Sequence, residues 1–453
     1  MSPTVRLPEA TPTRREQAIS EAVGYGASSQ RAILLLQGPV GPFFSHLAAA
    51  FLRLGRPVDH VRFNAGDAFF GLWAPRIETA PRYRALRFHQ GRDALAPWLR
   101  GLCWRNHYGA IVLFGGERPA HRVAREIAGE FGIPVICLEE GYVRGGFVTV
   151  ELGGNNARSP LAGRLPPEDF GSNSLEPPRV HSFSWLIAWG FLAFSVRNAF
   201  SSRAQRELDH KRRHSAPEAF YWLRNFARWV TGYGDAEAKI MELPTFDVVP
   251  LQVSDDAQLT DAAAGWSNQT LIAAAIESLA RCAPADRHLV FKVHPMERGH
   301  TKDPKLIRSL AQRWGVADRV HCTAKGSLGT VMKRARGMIT INSTSGFSAL
   351  HAGRPLLVLG RAIYRHPELL QCGGDRESID QFWTNDFAAP VQRAEQFIDW
   401  LKARALIAGD FYAPSIARET ADAVASRAVR LSSIKPVPID TPAALTEERR
   451  ARA

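Results

Sequence analysis

The chain has 453 residues, with 57 Lys and Arg against 44 Asp and Glu, giving a net charge of +13. Hydrophobic residues make up 45 % and charged residues 22 %, a globular balance that excludes wholesale disorder and fibrous folds and, at roughly 150 residues per domain, leaves room for two or three domains. The five cysteines (Cys103, Cys137, Cys282, Cys322 and Cys372) are scattered without a CxxC pair, which argues against a disulfide framework or a zinc ligand set and suits a reducing compartment.

Residues 1–30 are polar, lack the apolar stretch of a secretory signal and read as a flexible arm. From Arg31 the texture changes. Residues 32–36 form a short apolar run that ends in Gln37-Gly38-Pro39-Val40-Gly41-Pro42, and Phe44, Leu47, Ala48, Phe51 and Leu52 follow at helical spacing. That is strand, tight glycine turn, helix. Residues 56–63 hold a weaker second strand. Residues 110–114 form a third, ending in Gly115-Gly116, and 134–138 a fourth, ending in Glu139-Glu140-Gly141. Apolar runs without alternation predict parallel strands buried on both faces. Ligands of such sheets gather outside the carboxyl ends of the strands, where residues 37–41, 115–118 and 139–141 would stand. These elements predict a Rossmann-like domain over 31–164.

Prolines at 166–167 and 177–178 open a different segment, 165–243. Its apolar run FSWLIAWGFLAF, residues 183–194, is too short to cross a bilayer and reads as a buried or an interfacial helix. Arg197, Arg203, Arg206, Lys211, Arg212 and Arg213 follow, and then a helix-like stretch that sets Trp222, Phe226 and Trp229 on one face beside Arg224 and Arg228. Aromatic and basic residues together fit a membrane-surface helix; an ordinary helical insertion with a solvated flank fits as well. From Val248 the strand–helix rhythm returns, with strands over 288–293, 337–341 and 354–359. This predicts a second Rossmann-like domain over 244–432, and the proline-containing, charged residues 433–453 read as a disordered tail.

Several strand ends carry chemistry. Ser343-Thr344-Ser345-Gly346 follows a strand and opens a helix, so it offers backbone N–H groups and hydroxyls either to a phosphate or simply to the helix end. His294-Pro295 ends another strand, where proline stiffens the residue before it and imidazole can donate to a phosphate oxygen or act as an acid. Lys292 adds positive charge, and strand alternation would set it on the same face as His294. Glu139 and Glu140 are adjacent and point apart, so one carboxylate would enter a crevice for acid/base work and the other serve structure. Residues 250–258, PLQVSDDAQ, offer a second carboxylate pair in what spacing alone reads as a polar loop. Glu151, Asn155 and Asn156 with Gly153-Gly154 form a polar turn that either binds sugar hydroxyls or turns the chain. No GxxxxGKS, strand-following GxGxxG, HExxH or GxSxG is present, so P-loop, dehydrogenase, zincin and hydrolase readings lack their fingerprints. The +13 charge indicates an anionic partner: a nucleotide, a membrane surface or nucleic acid. No recognisable nucleic-acid module supports the last.

In this order, LLLQGPVGPFFSHLA, LEEGYVR with TVELGGNN, VPLQVSDDAQ, KVHP and NSTSGFSALHAGRP resemble the capsule polysaccharide biosynthesis family of the KpsS/LipB type over residues 31–160 and 245–365. The resemblance implies an α/β GT-B-like fold, two Rossmann-like domains facing each other across a cleft with the helical insertion between them. It implies a glycosyltransferase that moves Kdo from CMP-Kdo. The Glu-Glu-Gly, His-Pro and Ser-Thr-Ser segments are also similar to motifs of bacterial sialyltransferases. Carried over, the likeness implies that Lys292, His294 and Pro295, with Ser343, Thr344, Ser345 and Gly346, hold the CMP moiety in the second domain. Glu140, with Glu139 as rival, is then the acid/base. Gln252 and Asp256 match a QxxxD pattern in which the aspartate is the nucleophile, and Gln37, Gly38, Gly41, Arg144 and Asn155 join Gln252 around the substrates, with the first domain on the acceptor side. Retention through two displacements needs such a nucleophile and a separate acid/base. The resemblance further implies no metal and no cofactor beyond the donor, and a phosphatidylglycerol-type lipid acceptor on which a poly-Kdo linker starts. It implies a cytoplasmic place at the inner membrane surface, other capsule synthesis or export proteins as partners, and no nucleic acid. The alternative is a non-catalytic assembly or export component that keeps a nucleotide-sugar-binding fold.

Overall fold

The computed structural model describes residues 31–434 apart from residues 74, 144, 172–174, 181, 210–223, 225–226, 228–236, 254–258, 260, 295–296, 298–300, 325 and 389. Two sheets organise them. The first joins β1 (Ile33–Leu35), β2 (Val58–Arg62), β3 (Tyr83–Arg87), β4 (Ala110–Phe114), β5 (Val135–Glu140) and β6 (Phe147–Leu152) with β13 (Leu406–Ala408) from far along the chain. Strands β1 to β5 are parallel in the order β3-β2-β1-β4-β5, and β6 then runs antiparallel between β5 and β13. The second sheet is parallel throughout, in the order β9-β8-β7-β10-β11-β12, from β7 (Thr245–Pro250), β8 (Arg287–Lys292), β9 (Val320–Thr323), β10 (Gly337–Thr340), β11 (Leu356–Val358) and β12 (Gln371–Cys372). Counted within itself, that order is 3-2-1-4-5-6, the doubly wound arrangement of a Rossmann fold. The molecule therefore has two parallel-sheet α/β lobes in a GT-B-like architecture.

The strand residues explain the burial. In β1, Ile33 and Leu35 enter the core beneath helix α1 (Phe43–Arg53), whereas Leu34 and Leu36 enter the core beneath α3 (Leu95–Asn106) and α4 (Pro119–Glu130). Side chains two apart share a face, so a run with both faces covered is apolar at every position. The second sheet repeats this, with Val248 and Val290 on one face and Val249 and Phe291 on the other. Strand β3, YRALR, escaped the sequence reading because it is an edge strand with mostly exposed side chains.

Two expectations are corrected here. The segment 244–432 is not a single lobe, because β13 pairs with β6 and helix α7 (Ala417–Ser432) packs on α1. The reason is an apolar stripe at helical spacing, Ala421, Val424, Ala425 and Ala428, buried in the same core as Phe43, Leu47 and Phe51. Of the polar turn expected over Glu151 and residues 153–156, Glu151 belongs instead to strand β6 and is buried inside it, while the chain does turn at Gly153 (φ +86°).

The apolar run 183–194 lies within helix α5 (Ser182–Phe200). Trp189 faces inward against Phe70 of helix α2 (Ala65–Gly71) and against Gly41. Gly41 has φ +105°, and a Cβ there would come within 3.0 Å of the Trp189 ring, so both backbone and packing call for glycine. Phe183, Trp185, Phe191 and Phe200 stay exposed on α5, near the exposed Leu72 and Trp73 that follow α2. No helix among the described residues is long and apolar enough to cross a membrane. Trp222, Phe226, Trp229 and the basic residues Lys211, Arg212 and Arg213 lie outside the described residues.

Candidate active site

In each lobe the strand order reverses between two central strands, and the crevice outside their carboxyl ends is where a doubly wound sheet binds ligands. In the second lobe these strands are β7 and β10, with β8 beside β7. At roughly 4.8 Å between neighbouring strands, the residues that follow β8, β7 and β10 line one short edge: His294, Gln252 and the Ser343-Thr344-Ser345 turn.

Local hydrogen bonds hold Gln252 and the serine turn. Asn268, the first residue of helix α6 (Asn268–Cys282), clamps the backbone of Gln252; its Oδ1 accepts from Gln252 N at 3.2 Å and its Nδ2 donates to Gln252 O at 2.7 Å. Ser267 caps that helix through Thr270 N. In the serine turn, Ser345 N donates to Ser343 Oγ at 3.2 Å and Ser343 N to Thr340 Oγ1 at 3.4 Å. The Tyr364 hydroxyl donates to Ser343 O and fills the space a side chain on Gly346 would take. Ser345 stands at the N-cap of the short helix that follows, yet its hydroxyl makes no capping bond. Lys292 is buried at the end of β8 while His294 is exposed beyond it. The ladder runs on past Lys292, with Val293 N donating to Thr323 O at 2.8 Å and Val293 in the same core as Leu289 and Phe291. Pro295, Asp256 and Arg144 lie outside the described residues.

In the first lobe the reversal falls between β1 and β4. Gln37 Nε2 donates to the half-buried Asp67 carboxylate at 3.4 and 3.5 Å, and Phe63 N donates to it at 3.1 Å. Burial pushes the Asp67 pKa up, against the lowering by those hydrogen bonds and by Arg118. Arg118 donates to Gly38 O at 2.9 Å and lies over the Phe114 ring. Burial lowers its pKa, while the charges of Glu139 and Asp67 act in the opposite sense. The missing side chains at Gly38 and Gly41 make room for the Phe44 and Trp189 rings.

Glu139 and Glu140 separate as adjacent strand residues do. Glu139 lies toward Gly115, where a Cβ would approach its Oε2 at 3.4 Å. Glu140 faces the other way, and its Oε1 accepts from the Tyr412 hydroxyl at 3.1 Å. Glu140 and Tyr412 line a cavity of about 510 Å³, together with Phe147, Ser182, Phe183 and Phe411. Nothing local in the sequence singles out Tyr412, which is 272 positions from Glu140. Arg118 stands in the strand-end segment 115–118 expected at this edge. Asp67 has no strand-end signal at all; it lies in the first turn of α2.

The turn around Asn155 is no open sugar platform. Asn155 is buried beside Gly116, and its Nδ2 has no hydrogen-bond partner among the described residues. Glu151 accepts from the Tyr142 hydroxyl and, at 2.5 Å, from Ser159 Oγ. Burial pushes the Glu151 pKa up to about 7, opposed by the hydrogen bonds from Ser159 and Tyr142. An acid that holds its proton more tightly when folded loses stabilisation as pH rises from its unfolded value to about 7. The loss is on the order of 3 kcal/mol. The melting temperature should therefore fall between pH 5 and 8 in the wild type. Glu151→Gln should flatten that slope, and thermal denaturation across the range would reveal a wild type whose slope the substitution leaves intact. No group of three or more His, Cys, Asp or Glu side chains suited to a metal occurs among the described residues.

Two Rossmann lobes, each with polar residues where its strand order reverses, place the chain in the GT-B-like class. Its sequence matches the family model for capsule polysaccharide biosynthesis protein over residues 109–181 and 191–412, and the chain belongs to that family. It is 31 % identical over 399 residues to the capsule polysaccharide export protein KpsS of Escherichia coli, covering 85 % of this chain and 97 % of that one. It is also 31 % identical over 371 residues to the capsule polysaccharide modification protein LipB of Neisseria meningitidis serogroup B, covering 78 % and 85 %. Among solved structures, Thermosulfurimonas dismutans KpsC, a beta Kdo 2,7 transferase, has a TM-score of 0.39 and 14 % identity, covering 81 % of this chain and 90 % of that one.

Proposed function

We propose that the protein is a retaining β-Kdo transferase that moves Kdo from CMP-Kdo to a phosphatidylglycerol-type lipid, starting the linker on which a capsule is held. The observation that carries this reading is the cavity at Glu140. One wall offers a carboxylate and a tyrosine hydroxyl, and another offers Phe183 and Leu186 of α5. An amphiphile fits such a cavity, its hydroxyl at the carboxylate and its chain along the helix. The motif resemblance supplies the donor: Lys292, His294, Pro295 and residues 343–346 hold the CMP moiety, beside Gln252. Asp256 attacks the anomeric carbon and the bond to the CMP phosphate breaks, leaving Kdo esterified to the aspartate. Glu140 then takes the acceptor hydroxyl's proton as that oxygen attacks the same carbon and releases Asp256. Two inversions amount to retention. Glu139, on the Arg118 side of the strand, is the rival base.

The exposed Phe183, Trp185, Phe191 and Phe200 of α5, with exposed Arg179 before it and Arg203 after it, suit docking on an anionic inner leaflet from the cytoplasmic side. The test is to incubate the purified protein with CMP-Kdo and a fluorescent lysophosphatidylglycerol. CMP release with a lipid product heavier by one Kdo is expected; neither CMP nor product would overturn the reading. The printed description of KpsS as an export protein favours a second reading, a non-catalytic export component. It predicts no thermal shift with CMP and stable co-purification with transport proteins.

A further inference from the structure

We propose that Tyr412 is a positioning residue for the Glu140 carboxylate, an inference that rests on reading Glu140 as the base. Glu140 is the last residue of β5, and its half-buried side chain has three rotatable bonds at the mouth of a cavity. A base has to be held within hydrogen-bond reach of the proton it removes. The Tyr412 hydroxyl donates to its Oε1 at 3.1 Å, and Tyr412 is itself buried.

The segment bearing Tyr412 is secured from three directions. Buried Asp410 accepts from Tyr412 N at 2.8 Å, from Ala413 N at 2.6 Å and from the Ser182 hydroxyl at the start of α5. Trp189, about two turns along α5, donates through Nε1 to Tyr412 O at 2.9 Å. Gly409 N donates to Gly146 O at 2.8 Å, tying the segment to the hairpin that follows Glu140. A hydroxyl placed so firmly serves as a fixed donor for a movable acceptor. Among the described residues, the charged groups about this strand end include Asp410 on the same cavity wall, Glu139 toward Gly115, and Arg118, which interacts electrostatically with both Glu139 and Tyr412.

The experiment compares wild-type protein, Tyr412→Phe and Glu140→Gln with CMP-Kdo and fluorescent lysophosphatidylglycerol. Phenylalanine keeps the ring and removes only the donor. In Tyr412→Phe, kcat should fall about tenfold with KM for CMP-Kdo unchanged. The acid limb of the kcat profile should move about one unit higher, since a donor to a carboxylate favours its ionised form. If the hydroxyl served stability alone, Tyr412→Phe would lower the melting temperature and leave that limb in place, and this result overturns the proposal. If Glu140→Gln keeps wild-type turnover, the base assignment falls instead. If wild-type protein releases no CMP, carboxyl ¹³C NMR titration, assigned through Glu140→Gln, reads the same upward shift of Glu140 in Tyr412→Phe. An unshifted carboxyl overturns the proposal there too.

Discussion

Glu140→Gln is expected to lower kcat for Kdo transfer by about 100- to 10,000-fold, the usual contribution of a positioned acid/base. Glutamine has the same shape, and its Oε1 still accepts from the Tyr412 hydroxyl, so the cavity wall around Phe147 and Phe411 should keep its packing. What disappears is the ability to take a proton from an acceptor hydroxyl. CMP binding, which the proposal assigns to the second lobe, should be unchanged. CMP release in the steady state and the thermal shift caused by CMP measure the two quantities separately. Glu139→Gln is the matched control. Its carboxylate lies toward Gly115 and the Arg118 guanidinium rather than in the cavity, so a smaller loss is expected. The reverse ranking of the two variants would transfer the base to Glu139.

Asp247→Ala should be the most damaging single change to stability. Asp247 lies on β7 with its side chain fully buried, and its two oxygens accept from Arg287 and Arg336, each at 3.2 Å. Burial pushes its pKa up and the two guanidinium groups pull it back down. Alanine would leave two largely buried cations facing each other, with the exposed Asp386 carboxylate, 2.9 Å from Arg336, as the remaining counter-charge among the described residues. Removing one partner of a buried ion pair typically costs about 3–5 kcal/mol, far more than the pair contributes over an apolar replacement. The damage would spread, because Arg336 also donates to the carbonyls of Phe382 and Asn385 and so anchors the loop after another helix. The same strand β7 leads into Gln252. The loss of melting temperature should therefore come with weaker stabilisation by CMP. Thermal denaturation with and without the nucleotide measures both, and an unchanged melting temperature would mean that solvent reaches this pair freely.

The strands that were legible in the sequence are the ones whose surroundings are the same on both sides. AIVLF, residues 110–114, is buried at every position and lies mid-sheet, so its composition alone describes it. YRALR at the sheet edge and VHCT in β9 carry polar side chains that a six-residue window cannot tell from a loop. The run 183–194 was visible, but the helix continues to Phe200, and its Arg197 is paired with Asp209, at 3.4 Å, inside the protein. Of the site, the turns after β1, β5, β8 and β10 could be read as ligand edges from strand followed by glycine, serine or histidine. Their neighbourhood could not.

The sequence by itself determined two α/β halves of parallel strands, the polar residues at their strand ends and the family to which the order of those segments points. Periodicity and turn chemistry act over a few residues, so they are written locally. Only the tertiary structure decided that the chain after residue 405 returns to the first sheet, which of Glu139 and Glu140 lies toward Gly115 and which lines the cavity, and that Tyr412 meets Glu140 from 272 positions away. Those choices follow from which apolar faces bury each other, an outcome of packing between distant segments that no short stretch of residues encodes.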